Sequence, residues 1–255
     1  MKDFITALQF LTRVRIFSQT SWQEDSFSRS VPWFPLVGAV IGALLAGLNY
    51  ILLPHIDTLL RAVILVLAEI LITGGLFCDG LMDTADGVFS GRSRERMLEI
   101  MKDSTVGSNA VIVFFCVFVL KIALYTVIAG NLLTMILFAM LIVTRCFLVI
   151  SISCFPYARK EGIGGMFTKY SKKYYLPMAI ALLLICLLPL KFVPIYLAAI
   201  ACFIYSYLVA DYLVKVLGGL TGDTYGFIAE TGNVVFIFFV YLCLTVNIFG
   251  GLRCF

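Results

Sequence analysis

Residues 74–92 read GGLFCDGLMDTADGVFSGR, and within them Asp79, Asp83 and Asp86 fall inside eight positions directly behind an apolar run. The stretch from roughly 60 to 78 is long and apolar enough to cross a bilayer, which takes about 20 residues. Carboxylates placed at the end of such a segment cost free energy unless something compensates them. They mark either a solvated helix end or a site.

The surrounding composition decides the class. The chain has 255 residues, 62% of them hydrophobic and 13% charged, with a mean hydropathy of +1.03. A soluble domain of this length carries far more charged surface, so the chain is expected to be an all-α polytopic membrane protein in contact with the lipid bilayer. No signal peptide is expected, because Asp3, Gln9, Arg13 and Arg15 interrupt the first apolar residues. Residues 1–30 read instead as an N-terminal interfacial segment. The net charge of +4 bears on orientation, and no nucleic-acid partner is expected. Eight cysteines without a C-x-x-C pair read as small buried hydrophobes.

About seven transmembrane helices are expected, over residues 33–53, 60–78, 106–128, 132–154, 175–190, 192–214 and 234–252, within one integral-membrane domain, 1–255. Lysine and arginine divide unevenly between the two sides. Lys2, Arg13, Arg15, Arg29, Arg92, Arg94, Arg96, Lys102, Arg159, Lys160, Lys169, Lys172, Lys173 and Lys215 share one side, against Arg61, Lys191 and Arg253 on the other. The positive-inside rule then places the N-terminus in the cytoplasm and the C-terminus outside. The polar stretches 79–105, 155–174 and 215–233 become cytoplasmic active-site loops. His55, the one histidine, falls on the outer side.

Asp79, Asp83 and Asp86 stand at i, i+4 and i+7, which puts them on one helical face if the second helix continues past the membrane edge. Like charges there repel, and a divalent cation relieves the repulsion. Mg²⁺ suits a few carboxylates together with water and phosphate oxygens. Asp103 follows the basic segment that carries Arg92, Arg94, Arg96 and Lys102. Carboxylates for a metal beside cations for phosphate is what phosphoryl transfer requires. Asp83-Thr-Ala-Asp86-Gly87 also fits the opening of the CDP-alcohol phosphotransferase motif, but no Ala-Arg follows. Membrane prenyltransferases place an Asn before the first aspartate and repeat the motif, and this chain does neither. A transporter with an acidic cation path is a non-enzyme alternative, yet its acids would be spread at mid-membrane.

DGLMDTADGVFSGRSRERMLEIMKDSTVG, residues 79–107, and LGGLTGDTYG, residues 217–226, followed by Glu230, resemble the signature of the cobalamin synthases, the adenosylcobinamide-GDP ribazoletransferases. Fainter likenesses are LTR at 11–13, FPLVG at 34–38 and PYARKEGIG at 156–164. Phe77-Cys78 stands where the family commonly has His-Leu, and Asn233 where a second acid often follows Glu230. The resemblance implies an inner-membrane enzyme of a prokaryote that faces the cytoplasm. Its partners would be corrinoid nucleotide and ribazole substrates, its product a cobalamin, and its leaving group GMP. It further implies Mg²⁺ held by Asp79, Asp83 and Asp86, with Asp103 or Glu230 as base. Arg92, Arg94 and Lys102 would neutralise phosphate, and Gly218, Gly219, Thr221, Gly222 and Asp223 would form a second ligand loop. The expected step is attack of the ribazole 5′-oxygen on the β-phosphorus. A homo-oligomer is compatible with all of this.

Three charges fall inside spans: Glu69, Lys121 and Arg145. Counted from straight span ends near 78 and 154, Glu69 and Arg145 lie at equal depth, so an ion pair between them is expected, with Lys121 deeper.

Overall fold

Helices that are apolar all round have no face to offer water, and such helices make up most of this protein. The computed structural model describes residues 2–16, 24–159 and 173–246. Among them run α1 (Lys2–Leu11), α2 (Glu24–Ser30), α3 (Phe34–Leu52), α4 (Thr58–Thr73), α5 (Leu76–Phe89) and α6 (Arg94–Ile100). α7 (Ser108–Val127), α8 (Gly130–Cys154), α9 (Tyr175–Leu187), α10 (Val193–Leu217) and α11 (Gly222–Thr245) complete the order. The central element is α8, buried on every side from Ala139 to Val149 and packed chiefly on α3. Phe115, Val119, Ile200, Ile204 and Leu208 point outward into the space a bilayer would fill.

Each of the seven expected spans meets a helix, but not all are full spans. Among the described residues, five helices are long and apolar enough to cross a membrane: Phe27–Leu52, α7, α8, α10 and α11. A sixth arises only if α4 and α5, bent by 91° at their junction, count as one. α9 is shorter, as expected. Two of the expected loops are corrected. Most of 79–105 is helical, as α5 and α6, and of 215–233 only residues 218–221 lie outside helices. Gly80 and Gly226, which fall within these two stretches, are contact points between helices. A Cβ on Gly226 would meet the Phe77 carbonyl oxygen at 2.8 Å and the Gly80 Cα at 2.9 Å. Small residues at a crossing let two backbones touch, and that contact seats α5 on α11. The expected loop between 160 and 172, and the last helix beyond 246, fall outside the described residues. Cys116, expected in the interior, is exposed on α7.

Within the first 30 residues, α1 buries Thr6, Ala7, Leu8 and Leu11. Just beyond it, the Arg13 N–H donates to the Ile72 carbonyl at 2.8 Å and so occupies one of the last carbonyls of α4. α4 ends at Gly74 and Gly75, both left-handed at φ 66° and 76°, with the Gly75 N–H returning to the Ile70 carbonyl at 2.9 Å. Glycine takes this conformation without the steric cost a Cβ brings, so the helix can stop and restart at a new angle.

That break overturns the expected Glu69–Arg145 pair. Lys121 Nζ donates to Glu69 Oε2 at 2.7 Å and to Glu230 Oε2 at 3.1 Å, all three side chains being buried. The Glu69 depth had been counted from a straight helix ending near 78. α4 stops at Thr73 instead, one turn above Glu69, while Lys121 stands thirteen residues, roughly 20 Å, into α7. The end of α4 therefore lies well inside the bundle, level with a deep lysine. Arg145 reaches Glu69 only through two intermediates. Its Nη1 donates to Thr144 Oγ1 at 3.1 Å, which lies 3.0 Å from Asn233 Oδ1, and Asn233 Nδ2 donates to Glu69 Oε1 at 3.0 Å. The Arg145 guanidinium itself lies 3.9 Å from the centroid of the Phe77 ring, a cation–π contact that holds the first turn of α5 on α8. Two acids and two bases share this enclosed region, so its formal charge is balanced.

Lys121→Met would strand two buried carboxylates, which typically costs about 3–5 kcal/mol. A lower melting temperature in detergent is expected, with partial recovery on adding Glu69→Gln and Glu230→Gln. Unchanged melting of the single variant would show that the pair carries no stability.

Candidate active site

The α5 sequence places Asp79, Asp83 and Asp86 on one face, and the structure gives them different duties. Asp79 is exposed, whereas Asp83 and Asp86 are half-buried. Both Asp86 oxygens are engaged at the start of α7, accepting the Gly107 N–H at 2.6 Å and the Ala110 N–H at 2.8 Å. A helix start leaves its first N–H groups unsatisfied and carries positive partial charge, so a carboxylate from a neighbouring helix is a strong cap. Asp86 thus departs from the expected set of three equivalent ligands: it anchors α7 to α5.

A fourth acid takes its place beside the other two. Asp83 lies in the field of Asp79, of Asp223 on the first turn of α11, and of Arg159. Asp223 Oδ2 accepts from Arg159 Nη2 at 2.8 Å and from Thr221 Oγ1 at 3.3 Å. Thr221 begins α11 through a capping box with Thr224, so its buried hydroxyl is already committed. The 218–221 turn is zipped to the segment after α8: Leu220 N–H donates to the Pro156 carbonyl and Ala158 N–H to the Leu220 carbonyl, both at 2.8 Å. Gly219 sits so close to Tyr157 and Pro156 that a side chain there would collide with backbone. Those contacts bring Tyr157 and Arg159 to the acids.

The remaining expected residues scatter. The Arg94 guanidinium lies against Gly218, whose φ of 76° and lack of a Cβ leave it room. Arg92 and Lys102 are exposed, and neither forms an ion pair among the described residues. Asp103 stays apart on the surface between α6 and α7, where the Thr105 backbone N–H at 3.0 Å holds it below the usual carboxylate range. A carboxylate stabilised as an anion is a weaker proton acceptor. Glu230 is 4% exposed, two turns into α11, and bound to Lys121. Neither candidate base reaches the Asp79–Asp83–Asp223 group. Arg159 and Tyr157 were visible only as members of the PYARKEGIG stretch, with no spacing to mark them.

Two cavities flank Asp79. The smaller, about 250 Å³, lies among α5, α8 and α11 and is lined by Phe77, Tyr157, Arg159, Asp223 and Tyr225. The wider, about 1240 Å³, opens beneath the N-terminal segment and is bounded by Arg13, Arg15, Gly74, Cys78 and Met82.

With this geometry in view, the comparisons fall into place. The family described as cobalamin-5-phosphate synthase matches residues 3–241. The chain belongs to that family. An adenosylcobinamide-GDP ribazoletransferase of Clostridioides difficile (strain 630) is 34% identical, the match covering 96% of this chain and 98% of that protein. The enzyme of the same name from Desulforamulus reducens is 40% identical over 92% and 94% of the two chains. The one from Acetivibrio thermocellus is 35% identical over 95% and 98%. No solved structure matches this member of the family.

The division of labour on α5 can be read without substrate. Asp86→Ala should lower stability by about 1–2 kcal/mol through loss of the cap. Asp83→Asn, lacking such a bond, should stay within about 0.5 kcal/mol of wild type. Equal melting of the two variants in detergent would refute the distinction.

Proposed function

We propose that this protein joins adenosylcobinamide-GDP to α-ribazole, or to its 5′-phosphate, and releases GMP, as a Mg²⁺-assisted phosphotransferase. The carrying observation is the convergence of Asp79, Asp83 and Asp223 with Arg159 beside two cavities, in a chain matched along nearly its whole length by enzymes of that name. The sequence expectation of a 5′-oxygen nucleophile needs correction. The family description names a 5-phosphate product, so in that substrate the 5′-oxygen already carries phosphate and a different ribose hydroxyl must attack. The bond from that oxygen to the β-phosphorus forms, the bond between the β-phosphorus and the bridging oxygen breaks, and GMP leaves with that oxygen and the electron pair of the broken bond. Asp79, the one carboxylate lining both cavities, is assigned the hydroxyl proton.

The donor set suits Mg²⁺ in kind, since Asp79, Asp83 and Asp223 offer hard oxygens and Asp79 and Asp223 line the smaller cavity. Among the described residues no three His, Cys, Asp or Glu side chains stand ready to hold an ion by themselves. An ion held here by Asp83 with Asp79 or Asp223 would take its other oxygens from water and the diphosphate, as Mg²⁺ commonly does. When bound it would neutralise charge on the diphosphate and on the departing GMP. Arg159 orients Asp223, and the cavity walls limit the water that competes with the ribose hydroxyl.

The inner membrane, with this site on its cytoplasmic face, is the second part of the reading. The excess of Lys and Arg on the site's side supports it. A cysteine at position 94 in a background free of native cysteines should react with an impermeant thiol reagent only from the cytoplasm, and one at 55 only from outside. The reverse pattern would overturn the orientation.

Purified protein given Mg²⁺, adenosylcobinamide-GDP and α-ribazole should release GMP in step with cobalamin. Asp83→Asn should abolish the release while remaining folded. Release of CMP or pyrophosphate from other substrates would favour the CDP-alcohol or prenyltransferase alternatives. Near wild-type turnover by Asp83→Asn would defeat the assignment of that acid.

A further inference from the structure

A reaction between two large substrates needs two seats that meet at the reacting atoms, and the cavities on either side of Asp79 differ in the ways the two substrates differ. The small one is walled by Phe10, Phe34, Phe77, Tyr157 and Tyr225. Its size is near the lower end for sites that enclose small organic ligands, and its walls suit a flat bicyclic base. It also holds donors without partners among the described residues: Arg159 Nε and the Tyr225 hydroxyl are buried and unpaired. A buried donor left unmatched is costly, so a group that accepts from it binds with gain.

The wide cavity is about five times larger and lies between the N-terminal segment and the broken helix. Its polar wall carries Arg13 and Arg15, and neither guanidinium has a carboxylate partner among the described residues. Arg13 is held in place by its own backbone bond to Ile72 and by its stem crossing Gly74, where any side chain would collide with it. An ordered arginine and a second one two residues on, facing a cavity that ends at Asp79, form a receptor for a doubly charged diphosphate.

We infer that the wide cavity under the N-terminal segment seats the corrinoid with its GDP, with Arg13 and Arg15 on the diphosphate, and that the smaller aromatic cavity seats the ribazole, with Arg159 Nε and Tyr225 free for its 5′-phosphate. This rests on the proposed reaction and adds which residues discriminate its two substrates. The β-phosphorus then approaches Asp79 from one side and the ribose hydroxyl from the other.

The test is a split in kinetic constants, since a purely structural role would move both substrates together. Arg15→Ala should raise KM for adenosylcobinamide-GDP about tenfold, the loss expected for one charged hydrogen bond, and leave KM for α-ribazole 5′-phosphate unchanged. Tyr225→Phe should raise KM for α-ribazole 5′-phosphate and leave that for adenosylcobinamide-GDP unchanged. Arg13→Lys, which keeps the stem over Gly74, should fold normally and show a smaller rise than Arg13→Ala. A binding arm needs no turnover: GDP with Mg²⁺ should raise the melting temperature of wild type and not of Arg15→Glu. Crossed effects, equal effects on both substrates, or undiminished GDP stabilisation of Arg15→Glu would overturn the assignment. Absence of GMP release from wild type would instead count against the proposed reaction, with the GDP arm still deciding whether Arg15 binds a nucleoside diphosphate.

Discussion

The fold turns on two consecutive glycines in left-handed conformation. Gly74 and Gly75 end α4 inside the bundle and let α5 leave at 91°. A straight helix would have carried Asp79, Asp83 and Asp86 along the axis of α4. The break swings them across to α11, where Gly80 and Gly226 meet backbone to backbone and Asp223 joins the group. Interrupted backbone at membrane depth is tolerated where it is covered or lines a cavity. Here the Arg13 backbone covers the end of α4, and the wide cavity opens beside it.

Such a kinked element needs to be fixed from below, because α5 is short and carries acids that repel. The buried chain from Arg145 through Thr144, Asn233, Glu69 and Lys121 to Glu230 ties α8, α11, α4 and α7 together under it. Arg145 reaches α5 itself through the Phe77 ring. Above, Asp86 fastens α5 to the start of α7. Charge inside the bundle thus serves position, while charge at its surface is left open to substrate.

Much of this could be read from the residues before any coordinates. Membrane-type helices followed from apolar length, though the span expected over 60–78 breaks at Gly74–Gly75, and the α5 acid face followed from its i, i+4, i+7 spacing. What escaped was non-local. Depth was counted along a straight helix, so the sequence suggested Arg145 for Glu69 when the break at Gly74–Gly75 favours Lys121. Asp86 looks like its neighbours in sequence and differs only because the start of α7 happens to face it. Arg159 carries no spacing signal at all; it enters the site because residues 156–158 pair with Leu220. Gly80 and Gly226 fall within stretches expected as loops, yet they make the contact between two helices.

The most direct test of the account is electron paramagnetic resonance of Mn²⁺ added to the purified protein with GDP. A single bound ion, coupled to phosphorus and lost in Asp83→Asn and in the Asp79→Asn/Asp83→Asn double variant but retained in Asp86→Asn, is the predicted result. Binding that survives loss of Asp79 and Asp83, or that depends on Asp86 alone, would contradict the claim that the broken helix aims those two acids at a nucleoside diphosphate.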